Sequence, residues 1–438
     1  MPTDDALADC GFATRALHAG FGGDSEHNSS SPPIYATASY TFDSSQHASD
    51  LFNLKQAGNI YSRIMNPTVD VFERRVASLE GGAAAVAFAS GLAAIQAAVS
   101  TICAAGQNFV AGTSLYGGTW SLFNQTFKRY GVEVRHFDPE KPGDIAGLVD
   151  DNTRLVYVET IGNPKWDVPD LAQIADAAHT AGLPLFVDNT SASPALCRPI
   201  EHGADVVIHS ATKYLNGHGT HMGGVVVDSA NFKWAENPQK WPEFCAPNES
   251  YHGLVFEEAM REMGNVAYAV HLRTNWLRDT GACLSPFAAF LFLQGIETLP
   301  LRMAKHSENA MKVATWLESH DAVEFVIYPG LDSHKDSGHV RKILPDGQGG
   351  LMSFGIKGGK VAGEKLVDSV KRIIHVANIG DAKTLIIHPA STTHNQLSEH
   401  AQIDAGAAPG TLRLSVGIED VADIIADLDQ AIAASQNG

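Results

Sequence analysis

A lysine and an aspartate lie at the ends of two neighbouring apolar runs, where they could act together. Lys213 belongs to the segment HSATKY, which follows the run DVVI at residues 205–208, and Asp188 ends the preceding run LPLFVD. Pyridoxal phosphate needs both groups, an amine that can form a Schiff base and a carboxylate that keeps the pyridine nitrogen protonated. A lone lysine after a strand is usually a surface residue, so the prediction of a pyridoxal phosphate site depends on its surroundings.

The sequence also contains a candidate phosphate site. Residues 83–89 predict a short buried strand, Ser90 and Gly91 interrupt it, and residues 92–103 have apolar positions at helical spacing. Main-chain amides at the start of such a helix bind anions, and a glycine there leaves them accessible. The hydroxyl groups that would add donors beside the lysine are those of Ser210 and Thr212.

Ordered blocks along nearly the whole chain resemble the Cys/Met-metabolism family of pyridoxal phosphate enzymes. The blocks are TRALHAG (14–20), YSRIMNPT (61–68), ASGL (89–92), LYGGT (115–119), VDNT (187–190), SATK (210–213), HPAS (388–391) and RLSVG (413–417). The resemblance implies an α/β chain of the aspartate aminotransferase-like fold (fold type I), with a large, mostly parallel sheet domain and a smaller C-terminal α/β domain. Within the family, the chain is most similar to the O-acetylhomoserine sulfhydrylases.

The resemblance implies a cofactor-binding role for several residues of these blocks. Lys213 would hold the cofactor and move protons, Asp188 would contact the pyridine nitrogen, and Asn163 would lie beside the ring hydroxyl. Tyr116 would stack on the ring, and its phenol is suited to proton transfer near a leaving group. The residues implied to bind the remainder of the cofactor, chiefly its phosphate, are Ser90, Gly91, Leu92, Ser210 and Thr212.

Substrate binding and assembly follow from the same resemblance. Arg413 would bind the α-carboxylate of an amino acid through two hydrogen bonds, and Asn378 occupies a substrate-binding position that is commonly Ser in related lyases. Tyr61 and Arg63 match a pair that, in this family, reaches the phosphate from a neighbouring subunit. We therefore expect a homotetramer built of dimers that share active sites.

Periodicity divides the chain into three predicted parts. Residues 1–80 have few apolar runs and predict an N-terminal arm, with a strand-like stretch at 35–40. Residues 81–281 alternate strand and helix patterns, which predicts a mostly parallel cofactor domain, and residues 282–438 predict a smaller α/β domain. Within the cofactor domain, residues 232–256 are rich in Trp and Pro and predict a long loop, and a matching insertion is a feature of the O-acetylhomoserine sulfhydrylases.

Composition narrows the classes of partner and compartment. A formal charge of −18 disfavours nucleic acid and anionic membranes as partners. Residues 81–127 contain no charged side chain, but their Ala and Gly content and their interruptions argue against a membrane span. The acidic start, residues 1–5, predicts no signal peptide, and five scattered cysteines suit a reducing cytoplasm.

Three histidines near the lysine do not predict a metal site. His209, His218 and His221 lie close together in sequence, but no carboxylate stands at a recognised ligand spacing from them. We therefore expect no bound metal, and we expect His209 to belong to the lysine segment.

The expected reaction converts O-acetyl-L-homoserine and sulfide to L-homocysteine and acetate, in methionine biosynthesis. Methionine γ-lyase is the main alternative, although such lyases typically carry Cys where this chain has Gly118. Cystathionine γ-synthase is another, and the 232–256 insertion argues against it. A protein that binds the cofactor or an amino acid without turnover is a third, which the intact set of Tyr116, Asp188, Lys213 and Arg413 disfavours.

Overall fold

Seven short apolar strands form the larger of two sheets in the computed structural model, which describes residues 7, 9–24, 26–393, 395, 399–404 and 406–436. The strands are β1 (Ala84–Phe88), β2 (Asn108–Gly112), β3 (Glu133–Phe137), β4 (Thr153–Glu159), β5 (Leu185–Asp188), β6 (Val206–His209) and β7 (Gly224–Asp228). Their order in the sheet is β1-β7-β6-β5-β4-β2-β3. Only the pairings of β7, with β1 and with β6, are antiparallel. The predicted mostly parallel sheet is therefore confirmed.

Helices cover both faces of this sheet, because strands buried on both sides need apolar cover. The helices of seven or more residues in the first 300 positions are Phe12–His18, Ser45–Phe52, Pro67–Glu80, Gly91–Ser100, Leu171–Thr180 and Pro286–Glu297. Apart from those in the segment 232–256, described below, the shorter helical segments are Gly117–Ser121, Leu122–Phe127, Pro142–Gly147, Pro199–His202, Phe256–Ala259, Arg261–Met263, Ala267–His271, Leu272–Leu277 and Arg278–Thr280. One core on each face of the sheet results, with Val187 in one and Phe186 in the other.

A five-stranded sheet forms the core of the smaller C-terminal part. Its strands are β8 (Val323–Ile327), β9 (Leu351–Ile356), β10 (Ile374–His375), β11 (Leu385–Ile387) and β12 (Thr411–Ser415), ordered β10-β11-β12-β9-β8. The helical segments of this part are Leu299–Glu318, Ser337–Ile343, Gly359–Ser369, Pro389–Ser391, Glu399–Asp404 and Val421–Gln436. Leu412 and Leu428 are buried in a core separate from those of the larger sheet.

The end of the predicted N-terminal arm packs against the body of its own chain. Helix Pro67–Glu80 begins after Asn66, whose side chain accepts the N–H of Thr68, and Phe72 packs on Phe292 with ring centroids 5.5 Å apart. The strand predicted at 35–40 is wrong, because this stretch forms only an isolated bridge between Ser39 and Tyr61. The three domain boundaries remain predictions.

The long loop predicted at 232–256 is an ordered segment whose helical pieces are only three or four residues long. It contains the helical segments Trp234–Glu236, Pro242–Cys245 and Glu249–Tyr251. Trp234 and Trp241 are buried, with ring centroids 5.1 Å apart, and Trp234 stacks on Tyr268 at 5.8 Å. The aromatic side chains that marked the segment as unusual therefore make it part of a core.

Within the described ranges, no helix is long and apolar enough to cross a membrane. No group of three metal-ligating side chains occurs there either. His209 pairs with buried Glu80, whose Oε1 lies 2.6 Å from its Nε2. Residues 1–5, which carried the signal-peptide prediction, lie outside the described residues.

Asp427 on helix Val421–Gln436 generates a stability prediction. Its buried carboxylate accepts the main-chain N–H groups of Lys371, Arg372 and Ile373 at 2.7 to 3.1 Å. Asp427→Ala leaves these donors without an acceptor, so we expect the free energy of unfolding of the smaller sheet to fall by about 3 kcal/mol in urea denaturation.

Asp429→Ala is the matched control on the same helix. Its exposed carboxylate lies 3.5 Å from His320, and surface pairs of this kind contribute less than about 1 kcal/mol. Equal destabilisation by the two substitutions would contradict the role assigned to Asp427.

Candidate active site

The parallel strands β4, β5 and β6 end at one edge of the larger sheet and place their last residues together. Glu159 ends β4 and pairs in register with Asp188, which ends β5. Lys213 follows β6 by four residues, and Thr190 and Ser210 join the two loops because the Ser210 N–H donates to Thr190 Oγ1 at 2.7 Å. Ligands bind at the carboxyl edge in open α/β sheets.

A cavity of about 460 Å³ opens at this edge, between the two sheets. The predicted site residues that line it are Ser90, Gly91, Leu92, Tyr116, Asn163, Asp188, Ser210, Thr212, Lys213, Asn378 and Arg413. The predicted residues outside the lining are Tyr61 and Arg63. The structure thus brings together eleven predicted residues from distant parts of the sequence and leaves the predicted inter-subunit pair apart from them.

Asp188 is a buried carboxylate on the wall of the cavity. Its Oδ1 accepts the N–H of Thr190 at 2.9 Å, and its Oδ2 accepts the hydroxyl of Tyr157 at 3.3 Å. Burial raises the pKa of Asp188 above its ordinary value, and the hydrogen bonds from Thr190 oppose this. Among the described residues no lysine or arginine pairs with this carboxylate, so a cationic N–H of a ligand would complete its hydrogen bonding.

The amine of Lys213 donates to Asn378 Oδ1 at 2.6 Å. Burial, with a smaller contribution from Arg413, lowers the pKa of Lys213 to about 8. An amine with this pKa is partly neutral near pH 7 and can act as a nucleophile or a base. The Asn378 side chain therefore holds the Lys213 amine at the cavity through this hydrogen bond.

Arg413 lies in β12 of the smaller sheet and lines the cavity from that side. Its guanidinium is buried, and the hydrogen bond resolved for it is a long one, 3.4 Å, to the carbonyl of Asn378. Burial lowers the pKa of Arg413 to about 10, which still leaves it charged near neutral pH. No carboxylate pairs with it in the described part of the chain, and a substrate α-carboxylate would be a bidentate partner.

The phosphate site predicted at the start of helix Gly91–Ser100 has the expected geometry. Ser90 precedes the helix, and its hydroxyl accepts the N–H of Ala93 at 3.1 Å. The N–H groups of Gly91 and Leu92 have no partner among the described residues. A Cβ atom added to Gly91 would lie 2.6 Å from Ser210 Cβ, so only glycine lets the two donor segments meet.

Tyr116 covers the cavity from the loop that follows β2. Its side chain is 49% exposed, and its ring packs over Gly118, where an added Cβ would lie 2.5 Å from Tyr116 Cε1. Asn163 is also on the lining and is buried. A cysteine at position 118 would force the tyrosine ring to move, whereas glycine lets it fold down.

Sequence reasoning missed several residues in the cavity lining and next to it. Tyr157 and Thr190 are the partners of Asp188, and Glu159 is its neighbour in the sheet. Thr190 could have been found from its spacing, two residues after Asp188, whereas Tyr157 and Glu159 lie on the neighbouring strand β4 and come close only through its register with β5. The other residues of the lining that were not predicted are Ile95, Ser191, Met222, Ala377, Ile379 and Thr393.

These features fit pyridoxal phosphate. The buried carboxylate of Asp188 matches a protonated pyridine nitrogen, Lys213 matches the aldehyde, and the open N–H groups at the start of helix Gly91–Ser100 match a phosphate. Each group faces the same cavity. The geometry would therefore allow Lys213, Asp188 and residues 90–92 to hold the cofactor, with Arg413 left for a substrate.

Comparison with known proteins agrees with this fit. The family model described as Cys/Met metabolism PLP-dependent enzyme matches residues 13–433. The chain is 50% identical over 422 residues to homocysteine synthase of Schizosaccharomyces pombe, covering 96% of this chain and 98% of that protein. It is 46% identical over 424 residues to O-acetyl-L-homoserine sulfhydrylase 1 of Thermus thermophilus, covering 96% and 100%.

A solved structure shares the fold. A chain from Campylobacter jejuni, proposed to be an O-acetylhomoserine (thiol)-lyase and carrying N′-pyridoxyl-lysine-5′-monophosphate, has a TM-score of 0.91 and 39% identity, covering 96% of this chain and 99% of that chain. The expected fold type I architecture and the expected cofactor are thereby confirmed. The chain belongs to the Cys/Met metabolism family of PLP-dependent enzymes.

Proposed function

We propose that this chain catalyses γ-replacement, converting O-acetyl-L-homoserine and sulfide to L-homocysteine and acetate. The observation that carries the proposal is the meeting of Lys213, Asp188 and Arg413 in one cavity. These are an amine, a carboxylate and a carboxylate-binding cation, which an amino-acid reaction of this kind needs. Relatives named homocysteine synthase and O-acetyl-L-homoserine sulfhydrylase support the choice of substrate and product.

The residues of this chain would divide the work. When bound, pyridoxal phosphate supplies an electron sink for negative charge that develops on the substrate. Arg413 would hold the substrate α-carboxylate, and Asp188 would keep the sink protonated. Lys213 would move protons at Cα and Cβ of the substrate, with Asn378 orienting its amine, and Tyr116 would act on protons near the leaving acetate. The C–O bond at Cγ breaks and a C–S bond forms there.

The finer features of the assembly are also part of the proposal. The chain would form homotetramers of site-sharing dimers in the cytoplasm, with Tyr61 and Arg63 completing a partner's phosphate site. In their own chain they lie outside the cavity, and Arg63 Cζ is 5.6 Å from the Tyr61 ring centroid. The cations in the described lining are Lys213 and Arg413, so a phosphate at Gly91 would need charge from elsewhere.

Lys213→Ala tests the reactive amine. We expect kcat for homocysteine formation to fall by about a thousandfold or more, because the nucleophile and the proton carrier are lost together. Borohydride reduction of the wild-type holoenzyme followed by peptide mapping should find the pyridoxyl label on Lys213. Lys360→Ala, an exposed lysine of helix Gly359–Ser369, is the control and should retain activity and label. A label on another lysine would overturn the assignment.

Subunit mixing tests the shared site. Arg63→Ala and Lys213→Ala proteins should each be inactive, and a mixture that exchanges subunits should regain activity because some sites then contain both residues. With random exchange into dimers, about a quarter of sites would be intact. Mass spectrometry of tagged subunits confirms the exchange. Confirmed exchange without regained activity would count against site sharing.

A product assay tests the reaction choice. O-acetylhomoserine with sulfide should yield homocysteine much faster than O-acetylhomoserine or methionine alone yields 2-oxobutanoate. The candidate enzymes share their early steps, so the product depends on relative barriers, where about 1.4 kcal/mol changes the ratio tenfold. The ring of Tyr116 folded over Gly118 favours the sulfhydrylase. Rapid release of 2-oxobutanoate from methionine would contradict the sulfhydrylase assignment and support methionine γ-lyase activity instead.

A further inference from the structure

Glu159 is a second buried carboxyl group in the active-site cavity. It is 6% exposed, lies on the cavity lining and is the register partner of Asp188. Asp188 already provides the carboxylate that a pyridine nitrogen needs. Burying another acid beside it is unfavourable unless the group makes a compensating contact.

The compensating contact is a hydrogen bond to the loop that carries Tyr116. Glu159 Oε1 accepts the main-chain N–H of Tyr116 at 2.6 Å. The Tyr116 phenol has no hydrogen bond to any described residue, and its side chain is half exposed. The placement of the ring therefore depends on the main chain, through Glu159 and through the bond of 2.9 Å from the Trp120 N–H to the Tyr116 carbonyl.

The charge state of Glu159 agrees with a hydrogen-bonding role. Burial, followed by repulsion from Asp188, raises the pKa of Glu159 well above its ordinary value, while the Tyr116 N–H opposes the shift. A protonated carboxyl still offers a carbonyl oxygen to an N–H donor. Asp188 can then carry the negative charge of the pair by itself, because two neighbouring buried carboxyl groups disfavour double ionisation.

We propose that Glu159 is a positioning residue that fixes Tyr116 at the cavity by accepting its main-chain N–H, so that the tyrosine ring can stack on the cofactor. The role of Tyr116 rests on the proposed function. The competing account is that Glu159 acts through its charge on Asp188. The two accounts differ in whether a neutral acceptor can replace the acid.

Three substitutions at position 159 test whether the hydrogen-bond acceptor or the charge of Glu159 is needed. Glu159→Gln keeps the length and an acceptor oxygen, and Glu159→Met keeps the length without an acceptor. Glu159→Asp keeps the acid but withdraws it by one methylene group. Each apoprotein is titrated with pyridoxal phosphate and its Kd is measured by fluorescence. We expect Gln to stay within about twofold of wild type, and Met and Asp to weaken binding about tenfold, as loss of a stacked aromatic ring would.

A double-mutant cycle shows whether the effect passes through Tyr116. Tyr116→Ala should weaken cofactor binding, and Glu159→Met should add nothing further in its presence, since residues acting through one contact are not additive. Additive losses would overturn the proposal, as would Gln and Met variants that bind the cofactor equally weakly. The cofactor Kd is readable without turnover, so a wild-type enzyme that makes no homocysteine would refute the proposed function separately.

Discussion

The close approach of Ser90 and Gly91 to the lysine loop is the constraint on which the site depends. A Cβ on Gly91 would lie 2.6 Å from Ser210 Cβ, and one on Gly224 would lie 2.2 Å from the Ser90 carbonyl oxygen. Glycine on both sides lets the start of the helix pack against the residue that follows β6 and against the first residue of β7. The anion-binding N–H groups and Lys213 then face one cavity, although more than 100 residues separate them in sequence.

Burial without internal charge pairing gives the cavity its chemistry. Asp188 and Arg413 are both buried and have no ion pair within the described ranges. Isolated charges in such places are unfavourable unless a ligand supplies the counter-charge. The charges of Asp188 and Arg413 are therefore left for a ligand to neutralise. Burial also lowers the pKa of Lys213 to about 8. By contrast, the buried His209 has its partner within the chain, since its Nε2 lies 2.6 Å from Glu80 Oε1.

The sequence predicted what local pattern and ordered motifs determine. Strand β6 and the segment that follows it, the break at Ser90, and the mostly parallel sheet were all predictable because each depends on short-range periodicity. Glu159 was missed because its place beside Asp188 comes from the register of β4 with β5. The sequence predicted a long loop at 232–256 but not the core that Trp234 and Trp241 join, because that core forms only in the folded chain.

The two parts of the cavity belong to different sheets, and side-chain contacts fix their relation. Trp166, three residues after Asn163, donates its indole N–H to Ser353 Oγ at 2.6 Å. Ser353 pairs in register with Arg413 across β9 and β12. The loop at the cofactor ring and the strand that would bind the substrate carboxylate are thus joined by one buried hydrogen bond. Because losing it would leave a buried donor unpaired, a shift of the smaller sheet that moved Arg413 away would also pull on the loop of Asn163.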